Sequence, residues 1–386
     1  MAPDNLMSED RSSSDERRRY GGQAVVEGVM MRSPNYFAIA CRRLSKNDIV
    51  THVEPVPKGI AALNWLNKPF LRGTFALIDT MALGIKSLTY AANIQIDDEG
   101  AQKEAASASA VDFAMGQGSP VAQPAAKTGP SQSVTNIAIG ATTVLSMVIG
   151  IALFWTLPAS LTDFILPHIG LQGANATAAH GDAARTALAA KGPHGYWGQL
   201  AASLVEGVIR LIIFFAYLLA ISRMTNVQRV FEYHGAEHKA INTLEANLPL
   251  TVENARGVSR IHPRCGTNFI FIVLTTSILV FSVIPRHNLS EGIGLALSTH
   301  IYRLLLLPIV AGIAYELLKF AGANRDKKWA LALVAPGLWT QLITTREPDD
   351  SQIEVALASL QSVWDKEHQV EPPSAAGTDP VAAAVA

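Results

Sequence analysis

Residues 137–157 read IAIGATTVLSMVIGIALFWTL, 21 residues without a charged side chain. A bilayer core takes about 20 such residues at the helical rise, so this stretch decides the class of the protein. Three further apolar segments support it. Asn268–Ile284 (NFIFIVLTTSILVFSVI) is uncharged and near the lower length limit. Val205–Ile221 (VEGVIRLIIFFAYLLAI) carries Glu206 and Arg210 near its start. Ile301–Phe320 (IYRLLLLPIVAGIAYELLKF) carries Arg303 near one end, with Glu316 and Lys319 near the other. The last two also read as buried helices of a soluble protein. Beside two uncharged neighbours, a four-span bundle is the better reading. Composition agrees, because charged residues make up 16% of the chain and hydrophobic residues 49%. Soluble proteins carry about 25% charged residues.

Loop charge orients this bundle. Residues 223–267 hold 6 Lys and Arg, against 2 in residues 158–204 and 1 in residues 286–300. The side richer in basic residues faces the cytoplasm, which places both termini there. Cys41 and Cys265, the two cysteines, then face a reducing compartment and are not expected to form a disulfide. The net charge of −1 provides no electrostatic footprint for nucleic acid. The first 20 residues, MAPDNLMSEDRSSSDERRRY, have no apolar run and are not expected to be a secretory signal peptide.

Ahead of the first span the chain looks soluble. Gln23–Met31, Tyr36–Leu44 and Ile49–Val53 are short apolar and β-branched runs, punctuated by Ser33-Pro34-Asn35 and Lys46-Asn47-Asp48. They predict a small β-meander, in which Met30 and Met31 read as core. Pro69–Ala92 predicts a helix, with proline suited to its first turn. Arg72, Asp79 and Lys86 form one polar stripe on it, so the helix either lies at the membrane interface or packs on the bundle as an ordinary core helix. Residues 100–133 and 171–195 are Ala, Gly, Ser and Pro rich and predict linkers. Trp329–Ile343 contains Pro336-Gly337 and predicts a broken interfacial segment. Ser351 and Glu354 have capping-box spacing, and Ile353, Leu357, Leu360 and Trp364 follow at helical spacing. A short amphipathic cytoplasmic helix is expected there.

The fold class is therefore a mainly α membrane protein. It has about four transmembrane helices, an N-terminal small β-meander and amphipathic cytoplasmic helices. The divisions are a disordered start (1–19), the meander and amphipathic helix (20–96), a linker (97–135) and the four-span region (136–320) with its cytoplasmic loop (223–267). Interfacial and amphipathic helices (321–366) and a disordered tail (367–386) follow.

The chemistry is concentrated in that loop. In FEYHGAEHKAIN (231–242), His234 and His238 stand four residues apart and share a helix face, so both imidazoles can reach one cation. Glu237 borders the same face and can take a proton from water activated by the metal. The H-x-x-E-H order also occurs in inverted zincins. A solvated helix face is the competing reading, and Gly235 in the motif weakens a helix by about 1 kcal/mol. A second cluster, RIHPRCG (260–266), adds His262 and Cys265 on a stiff turn. Thiolate and imidazole together suit zinc or iron. With His234 and His238 they form a four-ligand candidate set; the alternative is a buried apolar cysteine and a turn histidine. In GGQAVVEGVMMR (21–32), the glycines allow close backbone approach to a ligand. Glu27 and Arg32 pair with each other or with a ligand there. An ordinary turn before a strand explains the same residues. Glu206 with Arg210 and Glu316 with Lys319 are spaced to pair within their helices.

GGQAVVEGVMMRSP, FEYHGAEHKAIN, HPRCGTNFIF, IAYELLK and PGLWTQLITTREPDDSQIEVALASL occur in this order. Together they resemble the bacterial YqhQ-like family of uncharacterised membrane proteins, described as predicted metal-dependent enzymes. The resemblance implies an integral protein of the bacterial inner (plasma) membrane with a metal site at His234, Glu237, His238, His262 and Cys265. Pro34-Asn35, where a Gly-containing turn is expected, departs from the pattern. The leading expectation is a metal-dependent hydrolase using a divalent metal, zinc first. Glu237 is its base, His234, His238, His262 and Cys265 are its candidate ligands, and Glu27, Arg32 and Arg264 are candidate substrate contacts. The alternatives are a scaffold or assembly factor with a structural metal site and, behind it, a small transporter using Glu206, Arg210 and Glu316. Expected partners are membrane lipid and a substrate the sequence does not specify. A homo-oligomer stays open, and nucleic acid is not expected.

Overall fold

The computed structural model describes residues 19–57, 70–115, 144–169, 193–284, 293–324 and 327–368, together with Arg17 and Lys68. Four antiparallel strands form a meander in sequence order: β1 (Gly21–Val25), β2 (Gly28–Arg32), β3 (Tyr36–Arg43) and β4 (Asp48–Pro55). The run read as one strand, Gln23–Met31, is two. Val25 pairs with Gly28 across a two-residue turn, where Glu27 takes a φ of 50°. The two other turns fall where expected. Ser33 N–H donates to the Tyr36 carbonyl at 2.8 Å, and Asn47 adopts a φ of 53°.

The sheet is buried on both faces, following the two-residue period of a strand. Met31, Ala38 and Ala40 pack with Tyr233, Ala236 and Ile241 of α4 (Thr225–Glu245) and with Ile353, Leu360 and Val363 of α9 (Asp350–Glu367). Met30, Phe37, Ile39 and Cys41 point the other way, onto Leu83 and Ala91 of α1 (Leu71–Met115). Met30 and Met31 are thus core, as read.

Helix α1 continues to Met115, well into the expected linker. Alanine-rich sequence has low complexity, but alanine is also the strongest helix former. The rest of that linker, the expected disordered ends and most of the 171–195 linker lie outside the described residues. Pro69 does too, and the helix begins at Leu71.

Three described helices are long and apolar enough to cross a membrane: α2 (Val144–Ile165), the Leu200–Ile221 portion of α3 (Pro193–Ile221), and the His300–Ala321 portion of α7 (Ile293–Ala323). The first was expected at 137–157; its residues 137–143 lie outside the described ones, and the helix runs on through Pro158. Proline removes a backbone donor and crowds the preceding turn. A π-turn over Ala152–Thr156 widens the helix where that clash falls. The segment expected at 268–284 is α6 (Gly266–Ser282), apolar but only 17 residues long. A short helix, α5 (Val252–Gly257), lies between α4 and α6.

Helix α8 (Lys328–Thr344) runs unbroken through Pro336, contrary to the expected interruption. Its Gly337 lies directly against the Asn268 side chain, leaving no room for a Cβ. This close packing on α6 holds the helix across the proline. The capping box of α9 sits two residues earlier than read. Asp349 accepts from Gln352 N–H at 3.0 Å, and the Gln352 side chain accepts from Asp349 N–H at 3.0 Å. Ser351 instead donates to Asp349 at 2.6 Å.

Among the ionisable groups of the candidate spans, Glu206 binds Arg210 at 2.6 Å as expected and also Arg303 of α7 at 2.7 Å. Glu316 does not pair with Lys319. Its carboxylate takes both Arg72 Nε at 2.7 Å and Nη2 at 2.6 Å from α1.

Candidate metal centre

Helix α4 carries the motif without a break. It tolerates Gly235 because α4 lies against the 345–348 segment: a Cβ at residue 235 would overlap the Arg346 carbonyl oxygen. The residue that weakens the helix locally is therefore the one that lets the chain after α8 reach it. Arg346 N–H donates to the Phe231 carbonyl at 2.9 Å across the same junction.

That junction also orients the first imidazole. His234 Nδ1 lies 2.8 Å from the Thr344 carbonyl, the last residue of α8. A carbonyl only accepts, so Nδ1 carries a proton, and in the neutral imidazole this leaves Nε2 with the lone pair. His238 is held in the same way, its Nδ1 donating to the Arg260 carbonyl at 2.6 Å. Its Nε2 is fully buried and has no hydrogen-bond partner among the described residues. Cys265 caps the N-terminus of α6 in extended conformation and places Sγ 3.1 Å from His234 Nε2. The ligand atoms of His234, His238 and Cys265 all lie within 4.8 Å of one another.

The residues fit a metal on these observations. Two imidazoles are fixed by backbone carbonyls with their Nε2 atoms turned inward, as outer partners fix metal-binding histidines. A buried, unpaired Nε2 is costly unless something binds it. The thiol completes a soft-to-borderline donor set suited to zinc.

Glu237 lies beside this group, its Oε2 3.9 Å from His234 Nε2. Burial pushes its pKa up to about 7, although His234 and a hydrogen bond from the Gly22 backbone act the other way. A carboxyl poised near neutrality suits proton transfer. Gly22 of β1 approaches so closely that a Cβ there would lie 2.7 Å from Glu237 Cγ. The close glycine approach anticipated in GGQAVV is thus made to the motif glutamate.

His262 stands apart from the three-residue group. Its ring centroid is 5.7 Å from that of His238, but its Nε2 faces Glu245 at 3.2 Å. Burial lowers its pKa and Glu245 opposes that shift. Its backbone is pinned by the buried Gln341, which accepts from His262 N–H at 2.9 Å and donates to its carbonyl at 2.8 Å. Arg264 pairs with Glu245. Glu27 and Arg32 do not pair with each other. Glu27 binds Arg229, with one contact at 2.6 Å, and Tyr233 Oη at 3.3 Å. Arg32 ends β2, opposite Gly21. Sequence reasoning missed the Thr344 and Arg260 carbonyls and the Gln341 clamp. Every residue has a carbonyl, so no sequence signal marks the first two.

A mostly helical protein with membrane-length helices, a sheet covered on both sides and a His–His–Cys group of which His238 and Cys265 are buried defines the class. The chain belongs to the family described as protein of unknown function (DUF1385), whose model matches residues 68–366. It is similar to the uncharacterized protein YqhQ of Bacillus subtilis (strain 168), with 32% identity over 349 residues, covering 89% of this chain and 92% of that protein. No solved structure matches.

Proposed function

We propose that this is an integral membrane protein that binds a divalent metal, zinc first, through His234, His238 and Cys265, and uses it for hydrolysis on its cytoplasmic side. Helix α6 completes a four-span bundle with α2, α3 and α7. The observation that carries the metal reading is the buried, partnerless Nε2 of His238, beside two other ligand atoms within 4.8 Å. Three protein ligands would leave a position open, the pattern of catalytic zinc sites. A metal there would supply Lewis acidity toward water and substrate. Glu237 would accept and return the proton at its carboxylate, and His262, Glu245 and Arg264 would set the charge of the adjoining wall.

Elemental analysis of the purified full chain tests this. Near-stoichiometric zinc in the wild type, lost in His238→Ala, is expected. Glu237→Gln should retain metal and folding while cellular function is lost. Absence of metal from the wild type overturns the reading.

A second reading is favoured by burial: His238 is 0% exposed and Cys265 9%. A closed structural site would pin the 246–265 segment to α4. In that case Cys265→Ser unfolds the region and Glu237→Gln is silent.

A further inference from the structure

Helix α1 has three sides. Leu83, Ser87, Ala91 and Asp98 are buried toward the sheet, and Ser45 N–H donates to Asp98 at 2.9 Å. Arg72, Asp79 and Lys86 line a second side; Arg72 is neutralised by Glu316, and Lys86 by Glu54. The third side carries Ile78, Met81, Ile85 and Leu88, which are 44%, 58%, 62% and 40% exposed. Spacings of three, four and three residues put these four on one stripe. At 100° per residue the stripe lies roughly 135° around the helix from the sheet-facing side. Large apolar patches of this kind mark a partner.

The beginning of α1 identifies that partner. The Phe70 backbone abuts Gly312 of α7, and Gly73 abuts Tyr315, each leaving no room for a Cβ. Thr74 donates to the Pro308 carbonyl at 2.6 Å. Gly312 lies within the candidate span His300–Ala321. It is nine residues, or about 13 Å of helix axis, from the end of that span at Ala321. The first turns of α1 therefore sit beside membrane-depth residues of α7. The surfaces around this crossing are themselves apolar and outward-facing, with Leu305 67% and Ile309 50% exposed on α7 and Phe70 53% exposed before α1.

We infer that α1 is embedded in the cytoplasmic leaflet, with the β-sheet on one side and Ile78, Met81, Ile85 and Leu88 against lipid acyl chains on the other. The helix carries the sheet, and with it Gly22 over Glu237, onto the membrane surface. This inference rests on the membrane location proposed above and makes lipid, rather than a second protein, the occupant of the stripe.

The test places the photo-crosslinking residue p-benzoylphenylalanine at Ile85, at Leu305 and at Gln361 in the full chain in its native membrane. After irradiation, adducts are identified by mass spectrometry. Lipid adducts at Ile85 and Leu305 but not at Gln361, an exposed position on α9, are expected. Adducts at Leu305 without any at Ile85 overturn the inference and leave the membrane location standing. A covalent dimer or a foreign protein captured at Ile85 overturns it in favour of a protein interface. No lipid adduct at either position overturns both.

Discussion

Gly235→Ala separates local helix preference from tertiary packing, because the two predict opposite signs. In an isolated helix the change stabilises by about 1 kcal/mol. Here the added Cβ overlaps the Arg346 carbonyl oxygen, and ordinary contact requires the 344–346 backbone to retreat by about 1 Å or more. Two hydrogen bonds cross that junction, Arg346 N–H to Phe231 at 2.9 Å and His234 Nδ1–H to Thr344 at 2.8 Å. A 1 Å retreat takes both beyond the roughly 3.2 Å limit. Each buried group left without a partner costs about 1–3 kcal/mol. After subtracting the helix gain, the net expectation is a loss of about 3 kcal/mol. The same displacement frees the His234 ring, so metal affinity should fall with stability. The assay is the thermal transition of detergent-solubilised protein, read alongside zinc content. Gly150→Ala in α2, where a Cβ meets nothing within 4 Å, is the control and should be neutral or slightly stabilising. A Gly235→Ala protein as stable as wild type with its zinc intact would refute the packing argument.

Gly22→Ala should leave His234, His238 and Cys265 in place and disturb Glu237, since the new Cβ would lie 2.7 Å from its Cγ and 2.8 Å from the Met30 carbonyl oxygen; on the proposed function, retained zinc with reduced cellular function is the expected result. Burial pushes the Cys41 thiol up to about 12 from 9.0, so at pH 8 Cys41 stays protonated and maleimide labels it only after denaturation, as peptide mass mapping would show. The unfolded thiol ionises first, so this burial also costs stability progressively above about pH 9. Glu206→Ala removes the carboxylate that joins Arg210 to Arg303 and should lower stability by about 3–5 kcal/mol, measured as the midpoint of denaturant unfolding in detergent. Arg72→Ala should loosen α1 from α7 and raise protease sensitivity between residues 70 and 98, because it leaves Glu316 without its two-pronged partner.

Much of the helix content was legible because long apolar runs have few alternatives. Val205–Ile221 and Ile301–Phe320 fall within the observed α3 and α7, and the α9 spacing of Ile353, Leu357 and Leu360 marks its buried face. The misreadings have local causes. Low complexity hid the helical preference of Ala105–Ala114, the first span is bounded at 157 along the sequence although its helix continues past Pro158 through a π-turn, and Pro336-Gly337 reads as an interruption although the helix runs on there, packed against Asn268. At the candidate metal centre, the four-residue histidine spacing was sufficient to place two imidazoles on one face. It did not say how His262 and Cys265 would stand relative to them. In the structure Glu245 and Gln341 engage His262, while Cys265 Sγ lies 3.1 Å from His234 Nε2.

The sequence alone determined the mostly helical content with membrane-length segments, the meander and the H-x-x-E-H face, because each rests on a pattern within a single segment. The tertiary structure decided what those segments face. The two sides of the meander are covered by helices some 40 and more than 180 residues away along the chain, and the protons on His234 and His238 are set by carbonyls of Thr344 and Arg260. Backbone carbonyls are chemically identical at every position. Which of them meets an imidazole is therefore set by how distant helices pack and cannot be read along the chain.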